Sequence, residues 1–355
     1  MVDAKLYLRP IGWLYGATAE AAVAEGLALP LAGGGIAFAA AQLIEGAPGK
    51  ARKRLFTARE LAEVRDANLT SLLKRVTAKR PPFAGLPLDR PALMGIVNVT
   101  PDSFSDGGLY DTKEEAIAHA AELAGAGAAI VDIGGESTRP GSDEVDEADE
   151  LARVVPVIAG LKGLHAVISV DTRKAAIARA AAKAGARILN DVSALTYDPK
   201  SLPVAAQMAL SLVLMHAKGE PKTMHLNPVY TDVVLEVYDY LQGRIEAAGR
   251  AGIDRARIAA DPGVGFGKTM AHTLALLANL SLFHGLGVPL LVGASRKRFI
   301  QGIAGGEHPS SREPGSQAVA IAAAAQGAQI LRVHDVAGSR QALAVWRASV
   351  LGTEN

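Results

Sequence analysis

The sequence predicts an α/β protein whose larger part is a TIM (β/α)8 barrel, preceded by an N-terminal extension of about 90 residues. Two observations favour this fold. After residue 91, eight short apolar runs alternate with Ala-rich helical stretches, and nearly every run ends in a polar or charged residue. A barrel of this class takes roughly 250 residues. We therefore predict a barrel catalytic domain over residues 91–355 and an extension over residues 1–90.

The composition narrows the class of function. Lys and Arg (37) nearly balance Asp and Glu (36), and aromatic residues make up 5% of the chain, so no basic field or base-stacking platform for nucleic acid is indicated. Cysteine is absent, which excludes disulfides and thiolate chemistry and fits a cytoplasmic protein. No apolar stretch has the length of a membrane span, and the N-terminus lacks a signal-peptide pattern. We expect a cytoplasmic protein without nucleic-acid or membrane partners.

Residues 1–90 have a different texture from the rest. LYLRPIGWLYG is strand-like, LAGGGIAFAAAQLI is apolar and Gly-rich, and FTARELAEVRDANLTSLLKRVTAK is typical of a helical region. The proline-rich segment KRPPFAGLPLDRP at 79–91 predicts a linker or an irregular lead-in to the barrel. No chemical motif appears before residue 91, so the sequence assigns this extension no role.

The eight apolar runs do not alternate with polar residues, as expected for strands buried on both faces of a parallel sheet. They are ALMGIV (92–97), AAIVDIG (128–134), AVISVD (166–171), RILND (187–191), LSLVLMH (210–216), RIAAD (257–261), PLLVGA (289–294) and QILRVH (329–334). An open doubly wound sheet would more often show fewer strands and a G-x-G-x-x-G turn after the first. GGESTRPG follows the second run and does not fit that fingerprint.

Helix signals lie between the runs. Thr112 and Glu115 form a capping-box pattern before EEAIAHAAELAGAG. Thr172 is predicted to cap the helix KAAIARAAAKAG, with Gly185 as its stop. A long helix is predicted over TDVVLEVYDYLQGRIEAAGRAG, after the fifth strand.

Chemistry in such barrels lies at the carboxyl ends of the strands. The polar residues at these ends are Asn98, Asp132, Asp171, Asn190, Asp191, His216, Asp261, Ser295, Lys297, Arg332 and His334. An Asp after a strand is most often a helix N-cap, and a lone His is more often structural. Capping does not explain why Asn, Lys, Arg and His also stand at this edge, so we predict an active site there.

One part of this edge suits an anion. Arg332 and His334 are two positions apart on one strand, so their side chains share a face and could bind phosphate. Asn98 offers an amide oxygen, a hard ligand suitable for a Mg²⁺ ion that is held mainly by phosphate oxygens and water.

The other part suits a flat heterocycle. Asp171 and Asp261 are predicted to be partly buried carboxylates that accept paired N–H bonds from a guanidine-like edge. Asn190 can both donate and accept, and Lys297 can reach a carbonyl oxygen or ring nitrogen. Together the two parts describe an N–H-rich heterocycle with a phosphate tail.

Eight blocks of the chain resemble, in order, the signature of the dihydropteroate synthase family. They are GIVNVTPDSFSDGG, VDIGGESTRPGS, ISVDTRK, ILNDVSA, LMH, DPGVGFGKT, GASRKRF and RVHDV, and the resemblance covers about residues 91–345. The family comprises transferases of folate biosynthesis and is a sulfonamide target. Its members join p-aminobenzoate to 6-hydroxymethyl-7,8-dihydropterin pyrophosphate and release pyrophosphate, so both implied partners are small molecules. The resemblance also implies a homodimer through the C-terminal helices.

The resemblance implies a role for individual residues. The pterin ring is expected at Asp171, Asn190, Asp261 and Lys297, beside Met215 and Phe266. The pyrophosphate is expected at Asn98, Thr138, Arg139, Arg332 and His334, with Mg²⁺ at Asn98. The p-aminobenzoate pocket is expected to include Phe104, Thr138 and Pro140, while Asp102 and Asp106 order the first loop. Arg298 stands where some members have a Ser that reaches the substrate carboxylate, so its contact to p-aminobenzoate is open.

Three other interpretations are weighed against this one. A methyltetrahydrofolate–corrinoid methyltransferase-like barrel would share the pterin carboxylates but would not need Arg332, His334 or the NVTPDSFSDGG loop. A non-catalytic pterin-binding paralogue would be expected to lose loop residues that are present here. A barrel enzyme of unrelated chemistry would not explain the ordered blocks.

Overall fold

A computed structural model describes residues 5–99, 113–137, 142–220, 222–224 and 226–352. The N-terminal part contains an antiparallel sheet in which the third strand is central. Its strands are β1 (Leu6–Tyr15), β2 (Leu29–Pro30), β3 (Ile36–Glu45) and β4 (Arg52–Thr57). Strand β1 pairs with one side of β3, and β2 and β4 share the other side.

Three helices accompany this sheet: α1 (Gly16–Ala24), α2 (Ala58–Glu63) and α3 (Ala67–Thr77). The predicted helical region is therefore two helices. Thr57 and Glu60 form a capping box at the start of α2, and Asp66 caps α3 through the backbone N–H of Leu69. Apolar side chains of α2 and α3 pack against the sheet in one cluster that includes Leu8, Phe38, Leu43, Leu61, Leu69, Leu72 and Val76.

From residue 92 onward, eight parallel strands form the barrel, and each predicted run overlaps one of them. They are β5 (Ala92–Asn98), β6 (Ile130–Gly134), β7 (Val167–Asp171), β8 (Ile188–Asp191), β9 (Ser211–Met215), β10 (Ile258–Asp261), β11 (Leu291–Val292) and β12 (Ile330–Val333). The pairing order is β10-β9-β8-β7-β6-β5-β12-β11, and a bridge between Ala260 and Leu290 closes the ring. The predicted barrel is confirmed.

Helices surround the barrel. They are α4 (Lys113–Ala126), α5 (Glu147–Gly160), α6 (Ala175–Ala184), α7 (Ser201–Gln207), α8 (Val233–Arg250), α9 (Met270–Ala278), α10 (Arg298–Ala304), α11 (Glu313–Ala325) and α12 (Val336–Leu351). Short 3-10 helices occupy Arg255–Arg257, Leu280–Leu286 and Pro309–Arg312. In the parts of the chain that the structure describes, no helix is both long and apolar enough to cross a membrane.

The prediction that Thr172 caps α6 is wrong. Lys174 is the N-cap residue, and the Thr172 hydroxyl instead accepts the Lys174 backbone N–H at 3.2 Å. The backbone N–H of Ala175 donates to the Asp198 carboxylate at 2.9 Å, so a distant loop supplies the cap. Gly185 ends the helix as predicted, with a positive φ of 129°.

The lead-in segment 79–91 is irregular, as predicted, but it fills one end of the barrel. Phe83 is fully buried and forms a bridge with Leu86. Its ring belongs to an apolar cluster with one residue from each barrel strand: Met94, Ile130, Val167, Ile188, Val213, Ala259, Leu291 and Ile330. Phe83 therefore closes the end at which the strands begin.

Arginines hold the N-terminal part to the barrel. Arg75 Nε donates to the Gly285 carbonyl at 2.7 Å, and Arg80 Nη2 donates to the His284 carbonyl at 3.0 Å. Arg255 donates to the Leu286 carbonyl beside them. These carbonyls lie in the last turn of a 3-10 helix. The His284 carbonyl also accepts the Gly287 backbone N–H at 2.9 Å, whereas the arginines give the Gly285 and Leu286 carbonyls a donor where the helix ends.

Candidate active site

The polar site lies at the end of the barrel where the strands finish. Residues two positions apart on a strand share a face. Ile130, Ile188 and Ile330 lie in the apolar layer around Phe83, and two positions later the same strands carry Asp132, Asn190 and Arg332. Asp261 follows Ala259 in the same way. The strand period thus stacks a polar layer on the apolar one.

Asp132 is the centre of this layer. Its side chain is fully buried, and Oδ2 accepts from Asn190 Nδ2 at 3.0 Å and from Arg332 Nε at 2.7 Å. Arg332 Nη2 also donates to Asp171 Oδ2 at 2.8 Å. One guanidinium therefore joins Asp132, in the middle of β6, to Asp171, at the end of β7. Such charge-assisted bonds are short and directional, so they fix the positions of all four side chains.

Each of the two carboxylates keeps an oxygen for another partner. Asp132 Oδ1 and Asp171 Oδ1 are buried and accept no hydrogen bond from the described residues. Burial raises the pKa of Asp171 to about 7 against the opposing charge of Arg332, and the charge of Asp132 adds to the rise. A buried acceptor without a donor is costly. The Asp171 oxygen therefore suits a ligand that supplies an N–H group.

Asp261 lies across the barrel mouth from this pair. Its Oδ1 accepts the Gly263 backbone N–H at 2.7 Å, which fixes the carboxylate at the start of the DPGVGFGKT loop. Burial raises the pKa of Asp261, while the charge of Lys297 opposes the rise. A Cβ at Gly263 would lie 1.9 Å from the His216 carbonyl oxygen. Only glycine allows this close approach of the two loops.

Lys297 and Phe266 form one wall of the mouth. The Lys297 ammonium lies 4.4 Å from the centre of the half-buried Phe266 ring and donates to the Val264 carbonyl. Burial lowers the pKa of Lys297 to about 8, although the charge of Asp261 partly restores it. Met215 is the last residue of β9, is buried, and directly precedes His216. Both a cation and an apolar ring are thus available to a flat ligand.

Lys268 holds the Phe266 part of this wall through hydrogen bonds. Its ammonium contacts His216 Nδ1 at 2.9 Å and donates to the carbonyls of His216 at 3.1 Å and Phe266 at 2.9 Å. Burial, with a smaller effect from the Lys268 charge, lowers the pKa of His216 to about 2. The imidazole is therefore neutral and can accept from Lys268. Lys268 links the end of β9 to the loop that carries Phe266.

The predicted anion side is partly described. His334 Nδ1 contacts Ser295 Oγ at 2.9 Å. Asn98 ends β5 beside Gly134, where a Cβ would lie 3.8 Å from the Asn98 amide oxygen. Arg298 is exposed as the first residue of α10. The remaining predicted residues lie outside the described ranges: Asp102, Phe104, Asp106, Thr138, Arg139 and Pro140.

The structure brings together Asp171, Asn190 and Arg332, and it places Asp261 beside Lys297 and Phe266. Sequence reasoning recognised Asp132 only as a strand end and gave Lys268 no role. The signal for Asp132 was its position two residues after an inward apolar residue. No comparable signal marks Lys268, because its burial depends on a loop packed against another strand end.

Known proteins resemble this chain over the barrel. A family model described as "Pterin binding enzyme" matches residues 94–334. The dihydropteroate synthase of Escherichia coli is 47% identical over 271 residues, which cover 76% of this chain and 95% of that relative. Because the family match begins at 94, most of the unmatched quarter of this chain precedes the barrel.

Two solved structures are similar over the same share of the chain. The Yersinia pestis dihydropteroate synthase, solved with a sulfonamide drug complex, is 46% identical with a TM-score of 0.72, covering 74% of this chain and 96% of that one. The Xanthomonas albilineans dihydropteroate synthase, solved with 4-aminobenzoic acid, is 50% identical with a TM-score of 0.70, covering 75% and 96%.

Proposed function

The chain belongs to the dihydropteroate synthase family of pterin-binding enzymes, and we propose that it joins p-aminobenzoate to 6-hydroxymethyl-7,8-dihydropterin pyrophosphate with release of pyrophosphate. It is a transferase of folate biosynthesis. The observation that carries the proposal is the polar layer at the barrel mouth. Buried carboxylates, one amide and two cations lie together there at the ends of the barrel strands.

The pterin ring is assigned to the carboxylate side of the mouth. Its 2-amino-pyrimidinone edge presents N–H donors, and Asp171 Oδ1 is a buried acceptor that lacks one among the described residues. Asn190 Nδ2 donates to Asp132, so its amide is fixed rather than free to rotate. Asp261 and Lys297 complete the pattern from the other side, with Phe266 and Met215 against the ring face. Recognition of this kind rejects rings that lack the N–H groups, because they leave buried acceptors unpaired.

Arg332 is assigned a contact with the pyrophosphate in addition to its bonds with Asp132 and Asp171. Its guanidinium already bridges Asp132 and Asp171 through Nε and Nη2, which fixes its plane. The charge of a guanidinium held by two carboxylates remains available on its outer N–H groups to the first phosphate of the ligand. Arg332 would then lie between ring and pyrophosphate, next to the bond that breaks.

The pyrophosphate is assigned to Arg332, His334, Asn98, Thr138 and Arg139. We also propose that Mg²⁺ is bound with it at Asn98. No group of three or more acidic or His side chains suited to a metal occurs within the described ranges, and a cation held by Asn98 would take its other ligands mainly from phosphate and water. A single amide oxygen fits Mg²⁺ on those terms, since Mg²⁺ keeps several of its waters when a protein binds it. When bound, the ion would neutralise the charge of the leaving group.

The chemical step needs little acid–base assistance. The C–O bond to pyrophosphate breaks, the bond from the p-aminobenzoate nitrogen to the pterin methylene carbon forms, and the amine proton passes to solvent. An aromatic amine is already neutral at pH 7, so no strong general base is required. Asp171 and Asp261 would stabilise positive charge that develops on the pterin, and the amine would be held by Phe104, Thr138 and Pro140, with Asp102 and Asp106 ordering the loop.

The test is a turnover assay. Purified protein is incubated with the pterin pyrophosphate, p-aminobenzoate and Mg²⁺, and dihydropteroate and pyrophosphate are quantified. We expect equimolar products that require both substrates. A folded protein that binds pterin without forming product would instead be the non-catalytic paralogue. A protein that consumes methyltetrahydrofolate would be a methyltransferase.

Three further properties follow as proposals. We expect sulfonamides to compete with p-aminobenzoate, which inhibition kinetics would show as a raised KM with unchanged kcat. We expect a homodimer through the C-terminal helices, where α12 exposes Val345, and sedimentation would measure the mass. We expect the protein in the cytoplasm, which fractionation of cells would test.

A further inference from the structure

Lys174 joins the two ends of the segment that contains Thr138, Arg139 and Pro140. We propose that Lys174 is a positioning residue that sets the spacing of these ends and thereby the affinity for p-aminobenzoate. This inference rests on the proposed function. It concerns a residue that lies at the start of α6 and that sequence reasoning gave no role.

The ammonium of Lys174 has one acceptor for each of its three N–H groups. It donates to Glu136 Oε2 at 3.1 Å, to the Val145 carbonyl at 2.5 Å and to Glu150 Oε2 at 2.7 Å. Glu136 precedes the segment, Val145 follows it, and Glu150 lies in α5. We call this set of four residues the lysine clasp.

The clasp is buried and charged. The side chains of Lys174, Glu136 and Glu150 are 8%, 3% and 0% exposed. Burial alone would lower the pKa of Lys174, but the hydrogen bonds and charges of Glu150 and Glu136 outweigh it and the pKa is raised. Lys174 is therefore a cation at neutral pH. Its neutral replacement would leave Glu150 as a buried carboxylate without a cationic partner among the described residues, which is costly.

The clasp is continuous with the pterin site. Lys174 lies three positions after Asp171, and its backbone N–H is held by the Thr172 hydroxyl. The turn after β7 therefore carries both the Asp171 carboxylate assigned to the pterin and the Lys174 ammonium that binds both ends of the segment. Movement of either end of the segment relative to Asp171 requires that a Lys174 bond lengthens.

Arg173 makes a second connection, but only to the first end of the segment. Its Nη2 donates to Glu136 Oε1 at 2.6 Å, and its guanidinium lies 4.2 Å from the centre of the Tyr197 ring. Arg173 thus keeps the first end in place even without Lys174. The described contacts to the second end include Lys174 to Val145 and Tyr197 OH to Glu144. Loss of Lys174 is expected to release mainly the second end.

The primary variant is Lys174→Met, which keeps length and removes the charge. The matched control is Lys162→Met, at an exposed position outside the clasp. We expect Lys174→Met to raise the KM for p-aminobenzoate about tenfold, since misplacement of a binding group by a fraction of an ångström to 1 Å has effects on this scale. The Kd of 6-hydroxymethylpterin, which lacks the phosphates, should change less than about twofold, because Asp171 and its partners are untouched.

The double variant Lys174→Met with Glu150→Leu separates positioning from stability. It removes both charges, so no buried carboxylate is left unpaired, and replacement of a buried ion pair by apolar residues is often neutral for stability. We expect its Tm to return toward that of the wild type while the KM for p-aminobenzoate stays high. Recovery of the KM together with the Tm would show that the pair is merely structural and would overturn the proposal.

Hydrogen exchange gives a readout that does not need turnover. In Lys174→Met, backbone amides of residues 142–146 should exchange faster than in Lys162→Met, while those of β6 should not change. If exchange at 142–146 is unchanged, the clasp does not hold the second end and the proposal fails. If the wild type makes no dihydropteroate at all, the proposed function fails instead, so the two failures are distinguishable.

Discussion

The two ends of the barrel are built on the same eight strands but with opposite chemistry. At the end where strands begin, Phe83 fills an apolar layer with one residue from each strand. Two residues further on, the inward positions include Asp132, Asn190, Asp261 and Arg332. The apolar end stabilises the fold without burying charges, whereas the polar end, which buries several charged side chains, is the binding end. The polar end is tolerable because its charges neutralise one another, as the Arg332 bridge shows.

The largest effect is expected at the apolar end. Replacement of a fully buried Phe by Ala leaves a cavity and costs about 3–5 kcal/mol, so Phe83→Ala should lower the free energy of unfolding by that amount. Denaturant titration measures it, with Leu86→Ala, which is only partly buried, as the milder control. The KM values for both substrates should stay the same. A shift in either KM would show that the two ends are not independent.

At the polar end, a substitution should reduce activity rather than stability. In Asp171→Asn, the carboxylate that reads the ring and stabilises developing positive charge becomes a neutral amide. We expect kcat/KM to fall at least about 100-fold, the scale of losing one preorganised electrostatic group. The Tm should not fall, since burial raises the pKa of Asp171 and so disfavours its charged form. Asp89→Asn, on an exposed carboxylate away from the strand ends, is the control. A large drop in Tm would mean that Asp171 is mainly structural.

A pH profile sharpens the contrast at Lys297. Because burial lowers its pKa to about 8, the ammonium is lost above that pH. If it donates to the pterin, the KM for the pterin substrate should rise about tenfold per pH unit above 8. Although binding weakens above pH 8, the folded state should become more stable relative to the unfolded chain. The unfolded chain, with a Lys pKa of about 10.4, binds more protons than the folded one between about pH 8 and 10.4, so the free energy of unfolding rises with pH there.

Lys297→Met is the control for both trends. Without the titrating amine, the rise in KM above pH 8 should flatten, and the stability gain over the same range should disappear. A wild-type KM that stays constant from pH 7 to 9.5 would argue that Lys297 does not contact the pterin as a cation.

The smallest effect concerns the attachment of the N-terminal part. Arg75→Met removes the donor to the Gly285 carbonyl, which should cost about 1 kcal/mol, the usual net value of one hydrogen bond. Urea unfolding measures the change, and Lys74→Met on the exposed neighbouring position is the control. No change in stability would indicate that water replaces Arg75 at this carbonyl.

Much of this contrast could be predicted from the sequence. Strands buried on both faces produce uninterrupted apolar runs, so all eight were located within two residues at either end. The charged residues after those runs identified the polar end. The N-terminal sheet was not predicted as a sheet, because β2 has two residues and the exposed β4 lacks an apolar pattern.

Partnerships between distant charged residues could not be predicted. Glu136 lies in the loop after β6, and Lys174 and Glu150 lie at helix starts. Local rules interpret such residues as solvated or capping groups. Their burial follows from the way α5 and α6 pack beside the loop, which no local pattern encodes. The wrong cap at Thr172 has the same cause, because Asp198 from another loop supplies the acceptor.

The most direct test compares the initial rate of dihydropteroate formation by the wild type, Phe83→Ala and Asp171→Asn at a temperature where all three are folded. The account predicts that Phe83→Ala works at the wild-type rate and that Asp171→Asn is at least about 100-fold slower. A wild-type rate in Asp171→Asn would contradict the assignment of pterin recognition and catalysis to the polar end.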